Sequence, residues 1–223
     1  MAILDMLSRQ LGGNTLTQIS QQLGTDEGTA AKAVAIALPL LLGGLTRNAA
    51  TPDGAAALDQ ALSRDHDGSL LDAPNQAVTN PNAFNAGGIL GHIFGQRQAP
   101  IQQGVAKASG MDMQSAGKVL MILAPIVMAG LARARSAQGA NSSAGAVLQG
   151  EQAHIERQVP GIGGLASILD RNHDGQIADD IANMAGGQLG GSGGALGGLG
   201  GILGGILMYS IADRRSLKKQ PAR

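Results

Sequence analysis

Lys32-Ala-Val-Ala-Ile-Ala-Leu-Pro39-Leu-Leu-Leu-Gly-Gly44-Leu45-Thr-Arg47 and Lys118-Val-Leu-Met-Ile-Leu-Ala-Pro125-Ile-Val-Met-Ala-Gly130-Leu131-Ala-Arg133 are two versions of one pattern. Each places fourteen uncharged residues between a Lys and an Arg, with a Pro midway and a Gly-Leu pair near the end. At 1.5 Å per residue such a stretch spans about 21 Å as a helix, short of the roughly 30 Å hydrocarbon core of a bilayer. Apolar on every side, it reads as a buried central helix rather than an amphipathic surface one. Pro39 and Pro125 each remove one intrahelical hydrogen bond, and a kink is expected at both.

Outward from these helices the match continues at a fixed offset of 86 residues. Ile19-Ser-Gln-Gln-Leu-Gly24-Thr-Asp26 falls on Val105-Ala-Lys-Ala-Ser-Gly110-Met-Asp112, and Ile3-Leu4 falls on Ile89-Leu90, so 1–50 repeats as 87–136 without an insertion. Gly24 and Gly110 stand where a helix closes in the left-handed conformation, and Asp26 and Asp112 follow as N-caps of the next helix. No stretch shows sustained alternation of Val, Ile, Thr and Tyr, so strands are not expected. The fold class is all-α and multihelical, an internally duplicated helical unit with a Gly-rich C-terminal tail. The expected organisation is a first helical repeat over 1–72, a second over 73–135, a linker at 136–150, an aspartate-loop segment at 151–185 and the tail at 186–223. Asn- and Pro-rich 72–88 reads as a loop joining the repeats.

The 223 residues carry 16 Lys+Arg against 16 Asp+Glu, a net charge of zero, which argues against a nucleic-acid partner. Three aromatic residues, Phe84, Phe94 and Tyr209, nearly exclude base stacking and aromatic cages. With no Cys there is no disulfide, no thiol catalysis and no Cys-ligated metal. The N-terminus lacks a basic run and places Asp5 inside its apolar stretch, so no secretory signal is legible and a cytoplasmic location is the expectation.

The best chemistry lies in Asp170-Arg-Asn172-His-Asp174-Gly175-Gln176-Ile177-Ala-Asp179-Asp180, which matches the first eight positions of a calcium loop. Alternate residues Asp170, Asn172 and Asp174 would turn oxygens inward, Gly175 permits the turn, and Gln176 offers its carbonyl. The closing bidentate Glu is replaced by Ile181, leaving Asp179 and Asp180 as substitutes, so Ca²⁺ binding is expected at micromolar to millimolar strength. A weaker second version, Leu62-Ser63-Arg64-Asp65-His66-Asp67-Gly68-Ser69-Leu70-Leu71-Asp72, aligns on Leu169–Asp179 and has Ser at the first ligand position. The competing reading of both is an Asx-rich turn that caps a helix without an ion, favoured for 63–72. His66 and His173 share the outward-facing fourth position, while His92 and His154 stand alone.

Catalytic signatures are missing. Gly190-Gly-Ser192-Gly-Gly194 satisfies G-x-S-x-G only because it lies in a glycine tract, and there is neither a P-loop nor H-E-x-x-H. From Ile181 to Ala212 no residue is charged, 186–205 holds 12 glycines, and 213–223 carries five basic residues against Asp213. Such a tail reads as a flexible or self-associating linker, or as a membrane contact through 186–223 with a basic anchor. Each helical Gly costs about 1 kcal/mol relative to Ala, which disfavours an isolated helix.

Leu4-Asp-Met-Leu with Gln10-Leu-Gly-Gly, Ala37-Leu-Pro-Leu-Leu-Leu-Gly-Gly-Leu45, Gly87-Gly-Ile-Leu-Gly-His92-Ile-Phe-Gly95 and the 169–180 loop together resemble the bacterial family called domain of unknown function 937, related to the YidB-like proteins. The resemblance covers most of 1–180 and implies an all-helical repeated fold, no assigned activity, and an aspartate-rich loop ahead of a Gly/Leu-rich end. The functional expectation is a non-enzymatic scaffold or interaction protein, with a protein partner or a second copy of the chain. The alternative is a membrane-associated protein.

Overall fold

The computed structural model describes residues 2–139 and 142–158, the last seven by backbone alone. Among them the chain is all-α: α1 (Ile3–Gln10), α2 (Asn14–Leu23), α3 (Glu27–Ala49), α4 (Pro52–Arg64), α5 (Asn75–Thr79), α6 (Ala86–Phe94), α7 (Gln98–Ser109), α8 (Met113–Gln138) and α9 (Ala144–Gln158). Short 3-10 turns at Ser69–Asp72, Pro81–Phe84 and Gly95–Arg97 join some of them. No strand occurs among the described residues.

The local rules act at both long helices. α2 closes at Gly24 (φ +67°) with Thr25 N–H on Ser20 O, and α7 closes at Gly110 (φ +82°) with Met111 N–H on Ala106 O. Both left-handed closures suit glycine. Asp26 Oδ1 then accepts Thr29 N–H and Asp112 Oδ1 accepts Ser115 N–H, each at 2.9 Å, starting α3 and α8. The helices run unbroken through Pro39 and Pro125.

α3 and α8 form the centre of the fold. Leu38, Leu41 and Leu42 of α3 and Leu120, Leu123 and Ile126 of α8 are fully buried, in one core cluster that draws on every α-helix. The amphipathic α2 lays Leu16, Ile19 and Leu23 on α3, while α7 turns Ile101 and Val105 inward against both long helices. Taken whole, α3 and α8 are long and apolar enough to cross a membrane, unlike their uncharged middles alone; 78% of each apolar window is buried inside the fold, as in a core helix.

Each long helix admits a short helix at a glycine. A Cβ on Gly44 of α3 would run into Ile93 Cγ2 and Phe94 of α6, and one on Gly130 of α8 would lie 2.9 Å from Leu7 Cδ2 of α1. Gly44 and Gly130, like Leu7 and Ile93, stand 86 apart.

Two stretches expected to be irregular are largely helical. In 72–88 the turn-forming residues start elements instead of keeping the chain open: Pro74 precedes α5, Pro81 begins a 3-10 turn, and Asn85 (φ +54°) precedes α6. In 136–150, α8 continues to Gln138 and α9 begins at Ala144. Ala144, Val147 and Leu148 are buried, so residues that looked like a small-residue linker are a packing face. Polar anchors fix the junction. Asp59 Oδ1 of α4 accepts Ala144 N–H at 2.9 Å, and Arg135 of α8 donates to Asp59 and to Ser63 Oγ.

The buried Glu151 of α9 reaches the other end of the chain, where its carboxylate accepts Ile3 N–H at 2.6 Å and Leu4 N–H at 2.8 Å. These are orphan amides of α1's first turn, so an anionic acceptor there also meets the positive end of the helix dipole.

Two outcomes are expected. Glu151→Ala strands those amides and should lower unfolding stability by about 2 kcal/mol, with Glu151→Gln recovering part; chemical denaturation giving equal midpoints for Glu151→Ala and the parent would contradict this. Gly44→Ala should cost about 1–3 kcal/mol, because Ile93 is β-branched and its Cγ2 cannot swing away, whereas the far end of Leu7 can yield to Gly130→Ala at little net cost. The same denaturation series ranks the two.

Candidate functional site

A cleft of about 270 Å³ opens where the end of α3 meets the end of α6. Gly44, Arg47 and Asn48 come from α3, His92, Ile93 and Phe94 from α6, Gly95 and Arg97 from the following turn, and Ile101 from α7. Ile93, Phe94 and Ile101 are buried and form an apolar floor, while Arg47 and His92 are exposed and Arg97 is half-buried. Asn48 Nδ2 donates to the His92 carbonyl, tying the two helix ends together. Among the described residues no carboxylate lines the cleft, so two guanidinium groups place positive charge around an apolar floor, with the His92 imidazole beside them. Such a lining suits an anionic group carried on an apolar body.

The loop at 65–72 has a different geometry. Asp67 Oδ1 accepts Ser69 N–H at 2.9 Å, an Asx turn, and Gly68 (φ +89°) swings the chain against α8. A Cβ on Gly68 would lie 3.3 Å from Ala129 O and from Arg133 Cβ. Asp72 then grips Arg133 in a two-pronged pair, Oδ1 to Nη1 at 2.9 Å and Oδ2 to Nη2 at 2.7 Å. The Ser69 hydrogen bond holds the Asp67 carboxyl below its ordinary value, and Arg133 does the same for Asp72. The structure therefore gathers Asp67 and Asp72 around a guanidinium, while Asp65 stands at the end of α4. Among the described residues no three His, Asp or Glu side chains meet at metal-binding spacing. Asp170, Asn172, Asp174, Gln176, Asp179 and Asp180 lie outside the described residues.

Arg97 and Glu151 belong to no sequence motif, His92 stands alone in the sequence, and Arg47 marks only the end of an uncharged run. Arg47, His92 and Arg97 are scattered in the chain and meet only because α6 packs on α3. Glu151 carries no sequence signal of its own, being one of two Glu in α9 among Gln149, Gln152 and His154.

The family model for bacterial proteins of unknown function, DUF937, matches residues 5–134. The chain belongs to this family. The DUF937 match takes in the cleft and the 65–72 loop and stops inside α8, ahead of α9 and Glu151. No curated protein and no solved structure matches the chain.

One titration follows from the loop. Burial pushes His66 below its ordinary value of 6.5, against the opposing pull of Asp65 and Asp67. On acidification the unfolded chain takes up this proton first, so the stability due to neutral His66 is complete above 6.5 and is lost as pH falls through the lower folded value. Between about pH 7.5 and about pH 5, denaturation midpoints should fall less steeply in His66→Gln than in the parent. Parallel slopes would contradict the burial of His66.

Proposed function

We propose that this DUF937 protein is a non-enzymatic, cytoplasmic helical scaffold that acts by docking protein surfaces, with an acidic protein segment or a second copy of the chain as partner. The single observation that supports the reading is the cleft between α3 and α6, where Arg47, Arg97 and His92 ring an apolar floor with no carboxylate among the lining residues. Guanidinium groups bind carboxylates but do not exchange protons near neutrality, and among the described residues no acid lines the cleft beside His92 to orient it for general-base work. The contacts of Gly44 and Gly130 further support two copies of one helical unit folded against each other, a construction that builds surfaces around a core.

The loop 170–180 belongs to this proposal as a weak calcium site, with Asp170, Asn172, Asp174 and Gln176 as ligands and Asp179 and Asp180 substituting for the closing Glu, directly or through water. Its support is the spacing of oxygen-bearing residues around Gly175. A membrane-associated role through the Gly-rich tail and basic C-terminus is the second reading, favoured by the uncharged run from Ile181 to Ala212 ahead of that basic end.

Sedimentation velocity of the full chain over about 1–100 μM should show association that weakens with added salt and is lost in Arg47→Ser/Arg97→Ser. A single monomeric species throughout would overturn self-docking. Calorimetry with Ca²⁺ should give weak heats that vanish in Asp170→Ala/Asp174→Ala; identical traces for parent and variant would remove the ion. Co-sedimentation with anionic vesicles of the full chain and of a variant ending at 185 decides the second reading, which requires the longer form to pellet more.

A further inference from the structure

α3 and α8 are matched in sequence and in their Gly contacts, yet their flanks are treated differently. On α8, the 65–72 loop is seated over Ala129 and Arg133, and Asp72 grips the guanidinium. On α3 the counterpart of Arg133 is Arg47, which is exposed and has no ion pair among the described residues. Among the described residues no aspartate loop pairs with Arg47 as 65–72 pairs with Arg133.

The chain contains a second copy of the covering loop. Leu62, Arg64, His66, Asp67, Gly68 and Asp72 recur as Leu169, Arg171, His173, Asp174, Gly175 and Asp179, all at an offset of 107. In chain order the first copy begins in the last turn of α4, the helix after α3, and the second begins eleven residues past Gln158 of α9, the helix after α8. α4 follows α3 and opens with Thr51 Oγ1 accepting Gly54 N–H, and α9 follows α8 and opens with Ser143 Oγ accepting Ala146 N–H. The order long helix, capped helix, aspartate loop thus occurs twice. In the first instance the loop closes on the long helix of the opposite half.

We propose that the Arg47 flank of α3 is the docking site of this chain's own segment 169–180, with Asp179 gripping Arg47 as Asp72 grips Arg133. Gly175 then seats on the α3 backbone at Gly43 and Arg47, the counterparts of Ala129 and Arg133. Charge complementarity supports the pairing, because 170–180 carries four Asp against one Arg and faces a cleft lined by two Arg and no acid. Reach supports it too. From Gln158 to Asp179 there are 21 residues, each worth up to about 3.3 Å of extended chain, against a radius of roughly 15 Å for a compact body of this size. Asp179 and Asp180 are the two substitutes for the closing Glu of the calcium loop, so docking through Asp179 leaves Asp180 to close the loop. The proposal rests on the reading of the cleft as a docking surface and names its occupant at the Arg47 end, leaving Arg97 and His92 for a partner.

The absence of Cys makes a direct test clean. Arg47→Cys/Asp179→Cys is built in the full chain and treated with a short bismaleimide, since an Arg–Asp pair spaces its Cα atoms beyond the roughly 7 Å limit of a disulfide. Arg133→Cys/Asp72→Cys is the positive control. Lys32→Cys/Asp179→Cys, at the opposite end of α3, is the negative control. Intrachain crosslinking of 47/179, read as a mass shift without dimer, should proceed within about tenfold of 133/72 and at least about tenfold faster than 32/179. A 47/179 rate no greater than that of 32/179 overturns the proposal. So does a crosslink formed only between two chains, though that result would leave the docking reading of the cleft standing. Circular dichroism of each variant checks the fold. In unmodified side chains, Arg47→Asp should lower the denaturation midpoint and Arg47→Asp/Asp179→Arg should restore it; additive losses in the double variant overturn the pairing.

Discussion

Fourteen consecutive uncharged residues in the middle of a helix have to be covered on every side, and this fold has two such helices. An amphipathic helix can be stabilised from one face, but α3 and α8 cannot, so each needs the other and a jacket of shorter helices. The requirement explains why α1, α2, α6 and α7 present narrow apolar faces of Leu, Ile and Val. It also explains the glycines in the C-terminal halves of the long helices, where Gly44 admits Ile93 to a distance that a Cβ would forbid and Gly130 leaves room for Leu7. Burial of this kind is non-directional and roughly proportional to area, so it holds the bundle together without choosing a register. Register must come from the polar groups.

Those polar groups are few, since only 14% of residues are charged, and several anchor a helix end or a junction between elements. Asp26 and Asp112 start the long helices, Asp59 meets the first amide of α9, and Glu151 meets the first amides of α1. Arg133 and Arg135 hold the 65–72 loop and α4 to α8. Hydrogen bonds are directional and costly to leave unmade when buried, which is what apolar contact lacks. A chain with little charge thus gains a unique arrangement by placing that charge where backbone donors run out.

Much of the scaffold was legible in the sequence because its causes are local. Gly24 and Gly110 close helices through backbone freedom, Asp26 and Asp112 open them through a three-residue hydrogen bond, and the Lys-to-Arg runs announce burial by lacking charge. The joining segments misled for the same reason. Pro74, Pro81 and Asn85 carry turn chemistry, and turn chemistry serves a helix start as well as a loop; only the packing of Ala77, Val78 and Leu90 decides between them. Ala144, Val147 and Leu148 looked like linker because small residues bury well only when a partner surface exists. The cleft was hidden for a deeper reason. Arg47, His92 and Arg97 meet through the crossing of α3 and α6, and no spacing rule within one segment encodes a crossing.

The boundary of the family match bears on how the fold is completed. DUF937 as matched here runs from Asp5 to Ala134, beginning after Ile3 and Leu4 and ending before Glu151. Both partners of the carboxylate cap on α1 therefore lie outside the matched region, one at each end. The first turn of a buried helix cannot leave its amides without acceptors, whatever supplies them. In this chain the supplier is α9, brought within reach by Asp59 and Arg135 and seated by Ala144, Val147 and Leu148. The two ends of the matched region are thus closed by one element that follows it. α9 is accordingly part of the folded body, and the body's natural limit lies past Glu151.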